Sequence, residues 1–367
     1  MKTQDLNKPA VPIGYAALML ELATARGASR ERLLDDLAIN DADWLRSDAR
    51  ISLLQTNRLL YRAIKLSGEP ALGCELGLRA GLTMHGVFGY GLGSQPNFGA
   101  AMKFACRYLP LLLPNLCMTL VDDGRHCALD VAETTPLGDL RHSMYELFLL
   151  GIVSAAKQML AGTGQEDPEF ELWFDTPEPE YHARYRDRLP PSFFSMGVTR
   201  LRFPASLMAQ GLATANAITA ELAQQQCERE VQQLGLTEDF LARVRAELQR
   251  NGRSYPDVET LSARLFMSGR TLKRKLRERG MSFQQLLDYA RRHDSICLLR
   301  DPHLSVESIA EQVAYSDAAN FTRAFRKWMG QTPSAFRARL QPALLHDESG
   351  GSRALSGARR LGDAVPR

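Results

Sequence analysis

The 367-residue sequence predicts an α+β N-terminal domain followed by an all-α C-terminal domain. The latter consists of two helix-turn-helix units joined by a linker helix. Three observations predict this. One helix–turn–helix pattern occurs twice between 258 and 337. Helical periodicity in 13–205 is interrupted by a D-G hairpin and further short strand-like runs. Charge also divides: 236–340 holds 19 Lys and Arg against 12 Asp and Glu, a net +7, whereas 1–235 is −5 in a chain of +3 overall. The expected segments are a frayed 1–12, a domain over 13–205, a helical bridge over 206–235, the helical domain over 236–340 and a disordered tail over 341–367.

The second copy is the clearer one. Val306, Ile309, Ala310 and Val313 fall at i, i+3, i+4 and i+7, one face of a first helix. Ala314-Tyr315-Ser316-Asp317 makes the turn, with Asp317 placed to cap the next helix. There Phe321, Phe325 and Trp328 share one stripe, while Asn320, Thr322, Arg323, Arg326 and Lys327 lie off it. Gly330 stops it, and Thr332-Pro333 opens a short helix holding Phe336.

In the first copy Val258, Leu261, Ser262 and Leu265 form the inward stripe, Phe266-Met267 the turn and Ser268 the cap. The second helix buries Leu272 and Leu276. Six of the twelve residues 268–279 are basic and only Glu278 is acidic. Like charges this dense disfavour a helix by a few tenths of a kcal/mol, about, per close pair; a polyphosphate partner would offset that. Gly280 ends the helix, and Ser282 with Gln285 starts the next one, running to about Leu299. The copies align with an offset of 48 before the turn (Phe266 with Ala314) and 49 after it (Arg274 with Arg323), so the second turn is one residue longer.

Upstream, helices are expected over 13–26, 29–37, 52–66, 71–81, 97–113 and 140–161. A hairpin is expected over 116–133 around Asp122-Asp123-Gly124-Arg125, with further strands at 169–174 and 199–203. The glycine-rich stretch His85–Ala100 matches neither phosphate-binding spacing, so its glycines are assigned to turns and close helix packing. Composition excludes other classes. The six cysteines form no C-x-x-C pair and no zinc spacing; neither a metal nor a cofactor is expected. The longest apolar run, Phe148–Leu160, is too short to span a bilayer and carries Lys157. A soluble, cytoplasmic protein without a membrane partner is expected.

The duplicated unit resembles the DNA-binding domain of the AraC/XylS family of bacterial transcription regulators. The resemblance rests on Ile309-Ala310, Tyr315-Ser316-Asp317, the run Asn320–Phe325, Gly330, Thr332-Pro333-Ser334 and Phe336-Arg337. It departs at Ala314 and Phe266, where the family's turn usually has glycine; another residue is tolerated there if its φ stays negative. The N-terminal part is similar to the effector and dimerisation domain of the ornithine-utilisation-regulator-like branch. Pro70-Ala71-Leu72-Gly73 with Leu76-Gly77, Gly89-Tyr90, Tyr108–Leu111 and Ala223–Cys227 carry that likeness.

The resemblance implies base contacts from Arg270, Lys273 and Arg274 in the first recognition helix, and Arg277 faces outward beside them. In the second it implies Ala318, Ala319, Asn320, Thr322 and Arg323, with Lys327 placed to meet phosphate. Arg and Lys suit guanine and Asn suits adenine, so the alanines leave the second helix more to position than to choose bases. Two such helices can read successive major-groove faces about 34 Å apart.

The implied function is a transcriptional regulator, an activator touching RNA polymerase, that is a homodimer through the N-terminal domain and answers to a small-molecule effector. Phe88 and Tyr90 are the candidate effector residues. Two alternatives remain: an effector-independent DNA binder, and a thiol- or metal-based sensor or enzyme using Cys106, Cys117, Cys127 and His126. Strand alternation sends His126 and Cys127 to opposite faces, which argues against the last.

Overall fold

The computed structural model describes residues 6–46, 48–165, 168–236, 240–248, 250 and 254–340. The expected tail, 341–367, lies outside them, as do Thr237, a residue type suited to cap a helix, and Asn251-Gly252, types suited to end one. The elements run β1 (Pro9–Pro12), α1 (Ile13–Thr24), α2 (Arg30–Leu34), β2 (Arg50–Ser52), α3 (Leu53–Ser67), α4 (Leu72–Arg79), α5 (Gly86–Gly93), α6 (Phe98–Tyr108), β3 (Leu116–Asp122), β4 (His126–Glu133), α7 (Arg141–Leu160), β5 (Glu171–Trp173), β6 (Ser192–Phe193), β7 (Thr199–Pro204) and α8 (Ala217–Leu234). They continue as α9 (Phe240–Glu247), α10 (Val258–Arg264), α11 (Gly269–Arg277), α12 (Phe283–Leu299), α13 (Val306–Gln312) and α14 (Ala318–Met329), with 333–340 helical as well. A sheet-bearing N-terminal region is thus followed by a helical one, the fold class the sequence predicts.

Contacts group the chain into two compact units, Met1–Gln249 with Pro256–Leu286, and Arg250–Tyr255 with Leu287 onward. This differs from a break near 236. In the first unit α9 packs on β3, where the Arg245 Nη1 donates to Cys117 Sγ at 3.0 Å, and α10 and α11 follow it. The helix expected as a bridge is likewise docked. Ala223 and Cys227 of α8 are buried, and Glu230 and Glu228 pair with Arg50 (2.7 Å) and Arg107 (2.9 Å).

The first unit is built around a five-stranded sheet of order β3-β4-β7-β5-β6, antiparallel except for the β5–β6 pair. The β3–β4 turn is as expected: Gly124 has φ +88°, and the Asp123 carboxylate accepts the Arg125 and His126 amides. Leu116, Met118, Leu129, Leu201 and Phe203 on one face enter the hydrophobic core with α1, α3, α4, α6 and α7. The opposite face is buried but polar. Arg200, 1% exposed, pairs with Asp130 at 2.8 Å and lies over the Trp173 ring at 5.0 Å. A buried guanidinium is tolerable only with such a partner.

Two local features deserve a cause. Helix α3 starts in a full Ser52–Gln55 capping box and ends at Gly68 in the left-handed region. Helix α4 crosses α7 so closely that a Cβ on Gly73 would meet the Ser143 carbonyl at 2.4 Å, and one on Gly77 the Leu150 Cβ at 2.7 Å. The Leu-Gly repeat noted in the sequence is therefore a backbone-contact surface. The glycine-rich stretch forms a helix, α5, packed on α8 through Gly91, whose Cβ would lie 3.1 Å from that of Ala223.

The N-terminus corrects an expectation. Residues 9–12 are not frayed: β1 pairs antiparallel with β2, and Val11 is fully buried. Two prolines at a strand edge hid this pairing.

In the second unit Tyr255 donates to Asp294 at 2.6 Å, and Arg250 reaches the Gln312 carbonyl at 3.2 Å. Phe321, Phe325 and Phe336 form its fully buried aromatic centre.

Candidate nucleic-acid interface

Each helix of the duplicated motif begins on a side-chain cap. Asp257, Ser268, Ser305 and Asp317 accept the amides of Thr260, Thr271, Ser308 and Asn320. Those amides hold the Asp257 and Asp317 carboxyls below the usual carboxylate range. The caps at Ser268 and Asp317 and the stops at Gly280 and Gly330 stand where the sequence places them.

The turns behave differently from expectation. Phe266 has φ +55° and Ala314 φ +59°, both left-handed. The hydrogen bonds supply the reason. The Met267 amide reaches the Ser262 carbonyl and the Phe266 amide the Ala263 carbonyl, both at 3.0 Å. In the second copy the Tyr315 and Ala314 amides reach the Ala310 and Glu311 carbonyls at 2.9 and 3.1 Å. This is the paired 6→1 and 5→2 closure that requires a left-handed residue just past the helix. Arg291 adds a bond to the Ala314 carbonyl at 3.0 Å.

On α11, Leu272 and Leu276 are buried while Arg270, Lys273, Arg274 and Arg277 are exposed. Arg274 pairs with Glu278 one turn on. The other two cations of the stretch lie elsewhere: Lys275 and Arg279 sit 5.4 and 4.7 Å from the Phe240 ring of α9. The six charges thus separate into an outward set of four and a pair that packs against the neighbouring helix. Sequence spacing names the outward four but gives no partner for the other two.

On α14, Ala319, Arg323 and Lys327 are exposed, and Ala318, Asn320 and Thr322 are half-buried. Asn320 is engaged locally: its Oδ1 accepts from Arg323 at 2.6 Å and its Nδ2 donates to Asp317. Neither Arg274 nor Arg323 is buried.

The remaining candidates are not brought together. Phe88 is 7% exposed, inside the core beside His85 and Phe104, whereas Tyr90 is 63% exposed on α5. Cys127 faces the core while half-buried His126 lies on the opposite face of β4. Burial pushes the Cys106 and Cys127 thiols up to about 12, which leaves them un-ionised and poorly nucleophilic.

The arabinose-binding N-terminal domain of AraC transcription regulators matches residues 27–212, and a helix-turn-helix domain matches 261–339. The ornithine utilization regulator of Pseudomonas aeruginosa is 34% identical over 91% of this chain and 98% of its own length. The regulator VqsM of the same species is 26% identical over 72% of this chain and 83% of its own. The crystal structure of the P. aeruginosa regulator CdpR aligns with a TM-score of 0.41 at 22% identity, covering 88% of this chain and 98% of that one. No helix among the described residues is long and apolar enough to cross a membrane. The relatives and the matched domains are those of regulators, not of enzymes. An effector-type domain joined to two capped helix-turn-helix units, and a relative matched nearly end to end, place the chain in the AraC family of transcription regulators.

Proposed function

We propose that the protein is a cytoplasmic, effector-controlled activator that binds its operator through α11 and α14. The observation that carries this is the repeat of one geometry: a left-handed turn, a side-chain cap and a helix with apolar inner and polar outer faces. Arg270, Lys273, Arg274 and Arg277 offer cationic forks to guanine edges or phosphates. Ala318 and Ala319 permit close approach, Asn320, Thr322 and Arg323 reach bases, and Lys327 meets phosphate. Each helix enters the major groove of the operator, and the DNA-bound form contacts RNA polymerase. A ligand of the N-terminal domain acts by favouring the competent state.

The assembly is a homodimer. Val87 and Tyr90 of α5 and Ile218 and Leu222 of α8 are exposed apolar side chains on two abutting helices. The solvent face of α8 continues through Glu221, Gln225 and Arg229. In an antiparallel pair centred on Gln225, Glu221 of one copy meets Arg229 of the other, the self-complementarity a two-fold interface needs.

Binding to an operator fragment tests the reading. Arg274→Ala should cost about 1–3 kcal/mol on the specific site and relax base choice at one position. Lys327→Ala should weaken all sequences alike and lower the salt slope by about one. Wild-type affinity and salt slope in both variants would refute the assignment of these helices.

A further inference from the structure

Arg274 and Arg323 stand at matching positions of the two recognition helices, yet they are held differently. On α11 the Arg274 Nη1 donates to the Glu278 carboxylate, one turn further on. The Glu278 amide donates to the Arg274 carbonyl at 2.9 Å, so backbone and side chain fasten the same pair. On α14 the acceptor is neutral and lies on the other side. Asn320 Oδ1, three residues earlier, takes the Arg323 Nη2 at 2.6 Å. A guanidinium reads guanine through two parallel N–H groups. In Arg274 the Nε–Nη2 edge keeps both of these donors, whereas in Arg323 one of them is already taken.

Helix stability does not account for Glu278. It is the only acidic residue in 268–279, and it caps the C-terminal end of α11, where the helix dipole favours cations and opposes a carboxylate. The Arg274 and Glu278 side chains are 62% and 48% exposed, so their pairing adds little to folding. Arg270, Lys273 and Arg277 have no carboxylate partner among the described residues. The one anion of the stretch is thus bonded to one outward cation of four, and that cation is the one with an intact fork.

We propose that Glu278 is a positioning residue that sets DNA specificity through Arg274. This rests on the operator-binding reading above and adds a control to it. With Nη1 held, the Nε–Nη2 fork of Arg274 is presented to a guanine edge. On unmatched sequence the same arginine must leave the carboxylate to reach a phosphate, and the carboxylate is then stranded beside a backbone of its own sign. Unmatched binding loses more than matched binding does, so the ratio between them rises. Arg323, held by a neutral amide through a donor of its own fork, has no such control. That agrees with a second helix that positions more than it chooses.

Competition binding of the full chain tests it. The matched probe is a duplex that the chain enriches from a randomised library, and the unmatched probe is poly(dI-dC). In Glu278→Gln the released Arg274 gains one phosphate contact on unmatched DNA. Affinity scales as salt to the power of about −0.9 per contact, so poly(dI-dC) binding should tighten by up to about eightfold near 0.1 M salt, with a salt slope steeper by about one. The enriched duplex should change by less than about twofold, and base choice at one position should relax. Glu278→Asp keeps the charge but is too short for the bond, so it should relax base choice without the gain on poly(dI-dC). In an Arg274→Ala background Glu278→Gln should do neither. Unchanged affinities and base choice in Glu278→Gln would overturn the proposal. So would the same gain on poly(dI-dC) with and without Arg274, which would reduce Glu278 to a general surface charge. An Arg274→Ala chain that binds both probes like wild type, or a library that yields no enriched duplex, tells instead against the operator-binding reading. Weakened binding in Arg274→Ala beside inert Glu278 variants refutes only the positioning role.

Discussion

Replacing Phe266 with glycine should stabilise the first helix-turn-helix unit, although it removes a large apolar side chain. The ring is 94% exposed, so its loss gives up almost no burial. The backbone at φ +55° costs a non-glycine residue about 1–2 kcal/mol. Against this, glycine gains freedom in the unfolded chain, a cost of roughly 0.5–1 kcal/mol. The balance is a net gain of about 0.5–1 kcal/mol, a two- to fivefold shift, roughly, in a local opening equilibrium. Amide exchange over 258–277 reads that equilibrium without assuming that the whole chain unfolds in one step. Slower exchange in Phe266→Gly is expected, and Ala314→Gly should do the same over 306–329. A negative φ at position 266 gives the opposite sign, because glycine would then bring only its entropy cost. Faster exchange in Phe266→Gly would therefore refute the left-handed turn and the hydrogen-bond closure that demands it.

Three further outcomes follow from packing and charge. Gly77→Ala should destabilise the N-terminal region by about 1–3 kcal/mol in urea unfolding, since its Cβ would lie 2.7 Å from that of Leu150 and 2.9 Å from two α7 carbonyl oxygens. Asp130→Asn should cost about 3 kcal/mol or more by the same measurement, leaving the Arg200 guanidinium buried without its counter-charge. Burial pushes the His85 imidazole down to about 4. The unfolded chain then binds more protons than the folded one between that value and about 6.5, so stability should fall as pH drops through this window. His85→Gln should flatten that part of the stability–pH curve, and an unchanged slope would contradict a neutral, half-buried ring hydrogen-bonded to Tyr15 at 3.0 Å.

What the sequence revealed depended on how local its cause was. The caps Ser268 and Asp317, the stops Gly280 and Gly330 and the end of α12 at Leu299 were all legible, because each is decided within one turn of helix. The short strands β1, β2 and β6 were not, since two to four residues carry too little periodicity to count. The glycines of α5, assigned to turns as well as to close packing, lie within a helix packed on α8. The turn angles were misjudged for a related reason. Phenylalanine and alanine do not favour positive φ, and only the closing hydrogen bonds from Met267 and Tyr315 impose it.

The same distinction explains why the DNA-facing residues were nameable. The outer face of α11 follows from the spacing of Leu272 and Leu276 on the same helix, so the residues off that stripe are outward whatever surrounds them. Even there, spacing gives no partner for the two cations over Phe240, because that ring stands about thirty-five residues upstream in another helix.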